Sequence, residues 1–258
     1  IRDDLVTGVQ TCALPISAAQ VAYAATPDSV EAIVWLARRL GYLGRYREAI
    51  EVLTQGLSRH PEEPHLLRHR GHRYITLRRF DEAERDLAQA AAVVAGKPDE
   101  VEPDGQPSKD RPPHSTLHYN IHYHLGLARF LRADFSGAEQ ALRDCLGCAR
   151  NDECRVAATH WLWCALVRQG KRDEANRLLQ PIRRELDVVE NQSYHQLCLV
   201  YRGDLRAQDT NAPGGNRSAS LAFGLAHLDL VQGERERSRT ALAKLAASAE
   251  VTAFGVIA

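Results

Sequence analysis

Gly44-Arg45-Tyr46-Arg47-Glu48-Ala49 returns 34 residues later as Arg78-Arg79-Phe80-Asp81-Glu82-Ala83. Each copy carries a turn residue, an arginine, an aromatic, a charged pair and an alanine, and four residues after each alanine stands a leucine, Leu53 or Leu87. Apolar residues four apart share one helical face, so each copy opens a helix. Upstream lie Leu36, Ala37 and Leu40 before the first copy, and Gly71 and Tyr74 before the second. The pattern is therefore helix, tight turn, helix. Small residues at Ala37 or Gly71 let the first helix approach the second, and Ala49 or Ala83 does the same from the other side. Tyr46 and Phe80 plug the turn, and Pro61 closes the first unit. No single pair buries such a face alone, so neighbours must stack.

The same grammar continues downstream. A third unit carries Leu125-Gly126, then Ala133 to Ala138 and Leu142, with Arg129 where an aromatic is usual. A fourth has Leu162, Trp163 and Leu166, then Gly170 to Ala175 and Leu179, with Arg172 in place of the turn aromatic and Pro181 ending its second helix. A weaker fifth runs through Leu225, Ala226, Gly233, Ser238 and Leu242, preceded by an extra apolar helix near Ser193 to Tyr201. The alanines 49, 83, 138 and 175 are separated by 34, 55 and 37 residues, so something is inserted in the second interval. That insert is GKPDEVEPDGQPSKDRPPHST, residues 96–116, whose five prolines among acids preclude a helix. A loop of this length is either functional or unstructured.

These units, over residues 28–248, resemble the tetratricopeptide repeat (TPR). The stretches RHRGHRYIT (68–76), KPDEVEPDG (97–105) and YHLGLA (123–128) further resemble bacterial TPR proteins. The resemblance implies an all-α chain, a TPR-type α-α superhelical solenoid of about five helix-turn-helix units. Units 1–2 would occupy 18–95, the inserted loop 96–116, and units 3–5 residues 117–258, continuous with the first part. It also implies a protein-binding scaffold without catalytic chemistry. Residues 6–16 (VTGVQTCALPI) resemble a translated sequencing adapter, so 1–17 are expected to lie outside the fold. The ending TAFGVIA has no polar cap, so truncation is expected at both ends.

Composition narrows the function classes. Lys+Arg and Asp+Glu are equal at 33 each, leaving no global basic field for nucleic acid. No window approaches the roughly 18 apolar residues of a membrane span. Cys12 falls in the adapter-like stretch. The other cysteines, 145, 148, 154, 164 and 198, are odd in number and irregular in spacing, which favours small buried hydrophobes over a disulfide framework. Cys145 and Cys148 lack the second CxxC of a zinc site and the βαβ setting of a redox motif. No cofactor is expected.

In TPR proteins certain positions of each first helix face a common groove. That frame selects Arg38, His65, Arg68, His72, Asn120, Tyr123 and His160 as partner-binding residues, with Glu31, Val34 and Cys164 beside them. His65, Arg68 and His72 form one helical stripe, and Arg38 approaches it from the preceding unit. Guanidinium and protonated imidazole pair with carboxylates, so the expected partner is an acidic protein segment or peptide. Val34 stands where a chaperone-tail clamp would want a lysine, which argues against that ligand. The competing structural reading is that these are solvated residues or histidines satisfied by neighbouring helices. An alternative function is a metal-dependent enzyme or sensor using the His-rich region 114–124. His118 and His122 there are one helical turn apart, with His114 and His124 nearby and acids at 99–104. The weakness of this alternative is that no HExxH and no third ligand in register accompany them.

Overall fold

The computed structural model describes residues 16–103, 114–210 and 218–247. Among them twelve α-helices follow one another: α1 (Ile16–Ala25), α2 (Val30–Tyr42), α3 (Tyr46–Arg59), α4 (Pro64–Thr76), α5 (Phe80–Val94), α6 (Leu117–Leu131), α7 (Phe135–Gly147), α8 (Asp152–Arg168), α9 (Arg172–Leu178), α10 (Gln192–Arg202), α11 (Ala219–Gln232) and α12 (Arg235–Ala246). They are TPR-like helix-turn-helix pairs packed in sequence, about six repeats in all. The five pairs of the sequence reading are α2/α3, α4/α5, α6/α7, α8/α9 and α11/α12, while α1 and α10 stand outside them. Ile16 and Ser17, expected outside the fold, form the first turn of α1; residues 1–15 lie outside the described residues.

Local chemistry sets the boundaries. First helices begin on side-chain caps: Ser29 accepts from the Ala32 amide, Thr116 from Tyr119, Asn151 from Cys154 and Ser218 from Leu221. Each cap satisfies an amide that the first helical turn leaves unbonded. The turn into each second helix needs one residue in the left-handed region. Gly44, Gly170 and Gly233 supply it, and Arg78 and Ala133 adopt it with φ of 59° and 61°. The next amide then closes back on the first helix, as in Arg45 N to Leu40 O and Arg79 N to Tyr74 O, both 2.9 Å.

Contacts gather α1–α6 into one compact unit and α7–α12 into another. In both, the periodic positions form the core. Ala49, Ala83, Ala138 and Ala175 are fully buried, as are Leu53, Leu87 and Leu142. Gly71 has no room for a side chain: a Cβ there would lie 2.6 Å from Leu87 Cγ. Gly224 in the second unit faces Leu197 in the same way. Cys145, Cys154, Cys164 and Cys198 are buried thiols, and Cys148 is half-buried. Among the described residues no helix is long and apolar enough to cross a membrane.

The described ends of the 96–116 insert are packed. Val101 pairs antiparallel with Thr116, with Glu102 N donating to Ser115 O (3.1 Å) and Leu117 N to Glu100 O (2.9 Å). The Asp99 carboxylate accepts from the His118 amide at 3.0 Å. Residues 99–102 are thereby laid against the start of α6, while residues 104–113 of the insert lie outside the described residues.

Candidate functional site

Helices α2, α4 and α6 pack side by side in the first unit. The packed acidic segment reaches them through Glu102, which is 1% exposed. Its carboxylate lies 3.0 Å from Arg68 Nη2 and 3.8 Å from His69 Nε2, and accepts a hydrogen bond from Asn120 Nδ2. Asn120 also donates to Ser115 Oγ at 2.9 Å. Arg68 is 7% exposed and turns its other amino group toward His69 Nδ1 at 3.0 Å. Two residues back along the segment, Glu100 meets His65 Nε2 at 3.3 Å, while His65 Nδ1 bonds Glu63 at 2.7 Å.

Further arginines gather here. Arg73 donates to His72 Nδ1 at 2.9 Å, and its guanidinium lies against Gly41, where only a glycine leaves space. Arg38 and Arg39 both hold their guanidinium groups over the rings of Trp35 and Tyr42, 5.1 to 5.9 Å from the centroids. Arg39 is 7% exposed and makes no ion pair among the described residues. Buried charges of one sign are unfavourable unless answered, and the titration of the neighbours reflects it. Burial, reinforced by Arg68, Arg38 and Arg73, pushes His69 well below the usual imidazole range. Burial and Arg73 do the same to His72. Burial takes His124 down to about 3. Arg73 itself falls to about 10 through burial and the nearby Arg68, and stays charged at neutral pH. His65 moves the other way: burial would lower it, but the hydrogen bond it donates to Glu63 and the charges of Glu63, Glu102 and Glu100 leave it raised.

Solved structures share this architecture. A tetratricopeptide repeat protein from Parabacteroides merdae ATCC 43184 matches with a TM-score of 0.55 at 16% identity, covering 99% of this chain and 93% of that one. The fold is the TPR fold. YrrB, a TPR protein with an unusual peptide-binding site, matches with a TM-score of 0.50 at 13% identity, over 88% of this chain and 98% of its own. No protein-family model and no curated protein matches the chain at the level of sequence. TPR proteins generally act as protein–protein interaction scaffolds and are typically not enzymes.

In the TPR frame α2, α4 and α6 are first helices, and six of the seven selected residues belong to them. His65, Arg68 and Asn120 converge on Glu100 and Glu102. His72 lies against His124, the rings tilted by 35° with centroids 4.4 Å apart. Tyr123 is buried, stacked on Tyr119 and edge-on to His124. Arg38 stands over Trp35 and Tyr42 and acts on His69 through its charge. Two expectations need correction. The stripe of His65, Arg68 and His72 was read as gaining charge through its histidines, but His72 is held neutral by burial and by the adjacent Arg73, leaving His65 as its proton-gaining member. His160 was read as a groove residue, but it is fully buried in the second unit. It is stacked on Tyr194 at 4.9 Å, bonded to Tyr201 Oη at 3.2 Å and held down to about 3. The cause is α10, the helix outside the pairs, which packs on α8 and covers that face. Cys164 is buried there too.

Sequence reasoning passed over Glu100, Glu102, His69 and Arg73 as site members. The available signal was charge: an acidic insert is spliced into the same unit as a basic helix stripe. Of the His-rich region, His118 brings a ring nitrogen within 4.8 Å of an Asp99 carboxylate oxygen. Among the described residues, no three of His114, His118, His122 and His124 bring their ring nitrogens together, and His124 Nδ1 is engaged by Asn120 O at 2.6 Å.

Proposed function

We propose that this chain is a protein-interaction scaffold that holds an extended acidic peptide of a partner on the face formed by α2, α4 and α6, and carries out no reaction of its own. The observation that carries this reading is Glu102 on Arg68 and Asn120. This face already takes a carboxylate from non-helical backbone out of water and answers it with side-chain donors. His65, Arg68 and Asn120 grip such a segment, and Arg38 and His72 border it. Tyr123 supports His124 beneath. The TPR fold supports protein binding as the class of function, and YrrB shows that a protein of this fold has a peptide-binding site.

The test is fluorescence anisotropy with a panel of labelled extended peptides, acidic, neutral and basic, against the wild type and Arg38→Ala. Arg38 is only partly buried, so its removal leaves the core intact. Acidic peptides should bind selectively, weaken with salt as exposed charges are screened, and lose about 1 to 3 kcal/mol with Arg38→Ala if that charge-assisted contact is desolvated. His65 adds charge below its raised pKa, so binding should tighten as pH falls through that value while the ligand acids stay ionised. Equal binding of acidic and basic peptides, or indifference to Arg38→Ala, would move the site off this face.

A further inference from the structure

The acidic segment shows what such a partner must look like. Glu100 and Glu102 both turn toward the cations, while Val101 between them is 46% exposed. Alternate residues of an extended chain point the same way, so the site reads every second residue. Among the described residues the backbone is anchored along one edge, by the Val101–Thr116 pairing and its two hydrogen bonds. The segment brings one buried carboxylate to a neighbourhood holding Arg38, Arg39, Arg68 and Arg73.

We propose that Asp99–Glu102 is an internal occupant of the peptide site, and that the partner carries the same pattern, two carboxylates two residues apart in extended backbone, and exchanges with it. The proposal rests on the peptide-binding reading above. Arg68 and Asn120 hold Glu102 by side-chain atoms that any similarly placed carboxylate satisfies equally. Exchange of Glu102 for a partner's carboxylate therefore keeps the Arg68 guanidinium and the Asn120 amide paired, which is the condition under which breaking a buried pair is tolerable. The tether makes the internal segment a strong competitor, because a ligand on the same chain acts at an effective concentration in the millimolar range. The wild type is accordingly a weak binder whose apparent affinity is lowered by the fraction of time the site is already filled.

The experiment uses the full chain and a labelled synthetic copy of residues 98–103, Pro-Asp-Glu-Val-Glu-Pro, with a control in which both glutamates are glutamine. Glu102→Gln keeps the side-chain shape and removes the charge. The variant should bind the acidic peptide at least about tenfold more tightly than the wild type does, and neither protein should bind the control. A Glu102→Gln protein that still melts cooperatively and gains no affinity would overturn the proposal. Should that variant fail to fold, hydrogen exchange on the wild type decides. Saturating acidic peptide should speed exchange at the Glu102 and Leu117 amides, which close the Val101–Thr116 pairing, and unchanged protection overturns it. The two readings fail separately. Acidic peptide that binds the wild type, is lost in Arg38→Ala and leaves those amides protected keeps the scaffold and removes the internal occupant. No binding to either protein removes both.

Discussion

Two glutamates, one in each unit, are equally buried and differently held. Glu102 in the first and Glu153 in the second are both 1% exposed, and both fix a non-helical segment near the start of a first helix. Glu102 is answered by an arginine and an asparagine side chain. Glu153 is answered by the backbone: the amides of Glu190 (3.0 Å), Asn191 (2.8 Å) and Val189 donate to it, and Asn191 Nδ2 returns to its carbonyl at 3.0 Å. Asp152 beside it takes the Asp187 amide at 3.1 Å. Backbone amides belong to one stretch of chain, so the Glu153 arrangement is a staple that nothing else can replace. Side-chain donors accept any carboxylate that reaches them. A buried acid thus marks a binding site only when its partners are transferable, and that criterion separates the two.

The largest effect that tests this contrast is loss of each carboxylate. Glu153→Ala removes three charge-assisted hydrogen bonds from the amides of Val189, Glu190 and Asn191 and should cost roughly 3 to 5 kcal/mol, read by chemical denaturation. Glu102→Ala leaves the Arg68 charge buried and uncompensated, a loss of similar size. Only the second should be rescued by acidic peptide, through preferential binding to the folded state. Rescue of both, or of neither, would break the comparison.

A next, smaller effect distinguishes histidines that serve the core from the one that serves the site. His124 and His160 sit at about 3 and His227 at about 4, each lowered first by burial. An unfolded histidine titrates near 6.5, so the stability tied to these groups is full above that value and is lost as pH falls below it. At pH 5 each costs about 2 kcal/mol relative to pH 7.5. His65 has the opposite sign: its contribution is present below the unfolded value and disappears as pH rises through its raised folded pKa. Denaturation curves at pH 7.5 and 5 should show net acid destabilisation, and His124→Gln should flatten it. An unchanged pH dependence in that variant would place His124 outside the group held neutral.

How much of this was legible in the sequence varies by element. The 34-residue spacing located the buried alanines 49 and 83 and the leucines behind them, because periodicity reports which helical face is covered. It also placed His65, Arg68 and Asn120 on first helices, where they meet. It said nothing about where a proline-rich insert folds back, since no period runs through residues 96–116, and so Glu102 stayed hidden while its partners were found. His160 failed for a related reason. The periodic frame assumes each first helix meets only its neighbours in the repeat, and α10 breaks that assumption by packing over α8. The left-handed residues emerge only when the five turns are compared side by side.

Those turns give the smallest prediction. Gly44 and Ala133 occupy equivalent positions, but alanine carries a Cβ penalty at φ 61°. Ala133→Gly should therefore stabilise by up to about 1 kcal/mol, the strain relieved less the extra entropy of a glycine in the unfolded chain. A drop in melting temperature would show that Ala133 makes an apolar contact worth more than its strain.

The placement of the aromatic residues makes the protein its own spectrometer. Trp35 lies under the guanidinium groups of Arg38 and Arg39, beside the proposed site. Trp161 and Trp163 are buried in the other unit, with Trp163 stacked on Tyr201 at 3.7 Å. The chain has three tryptophans in all. Collisional quenching by iodide should therefore resolve one accessible indole whose emission responds to an arriving peptide, against two shielded indoles that stay constant until the α8 region unfolds. Ligand arrival and loss of structure would then be read as separate optical signals from the unlabelled chain.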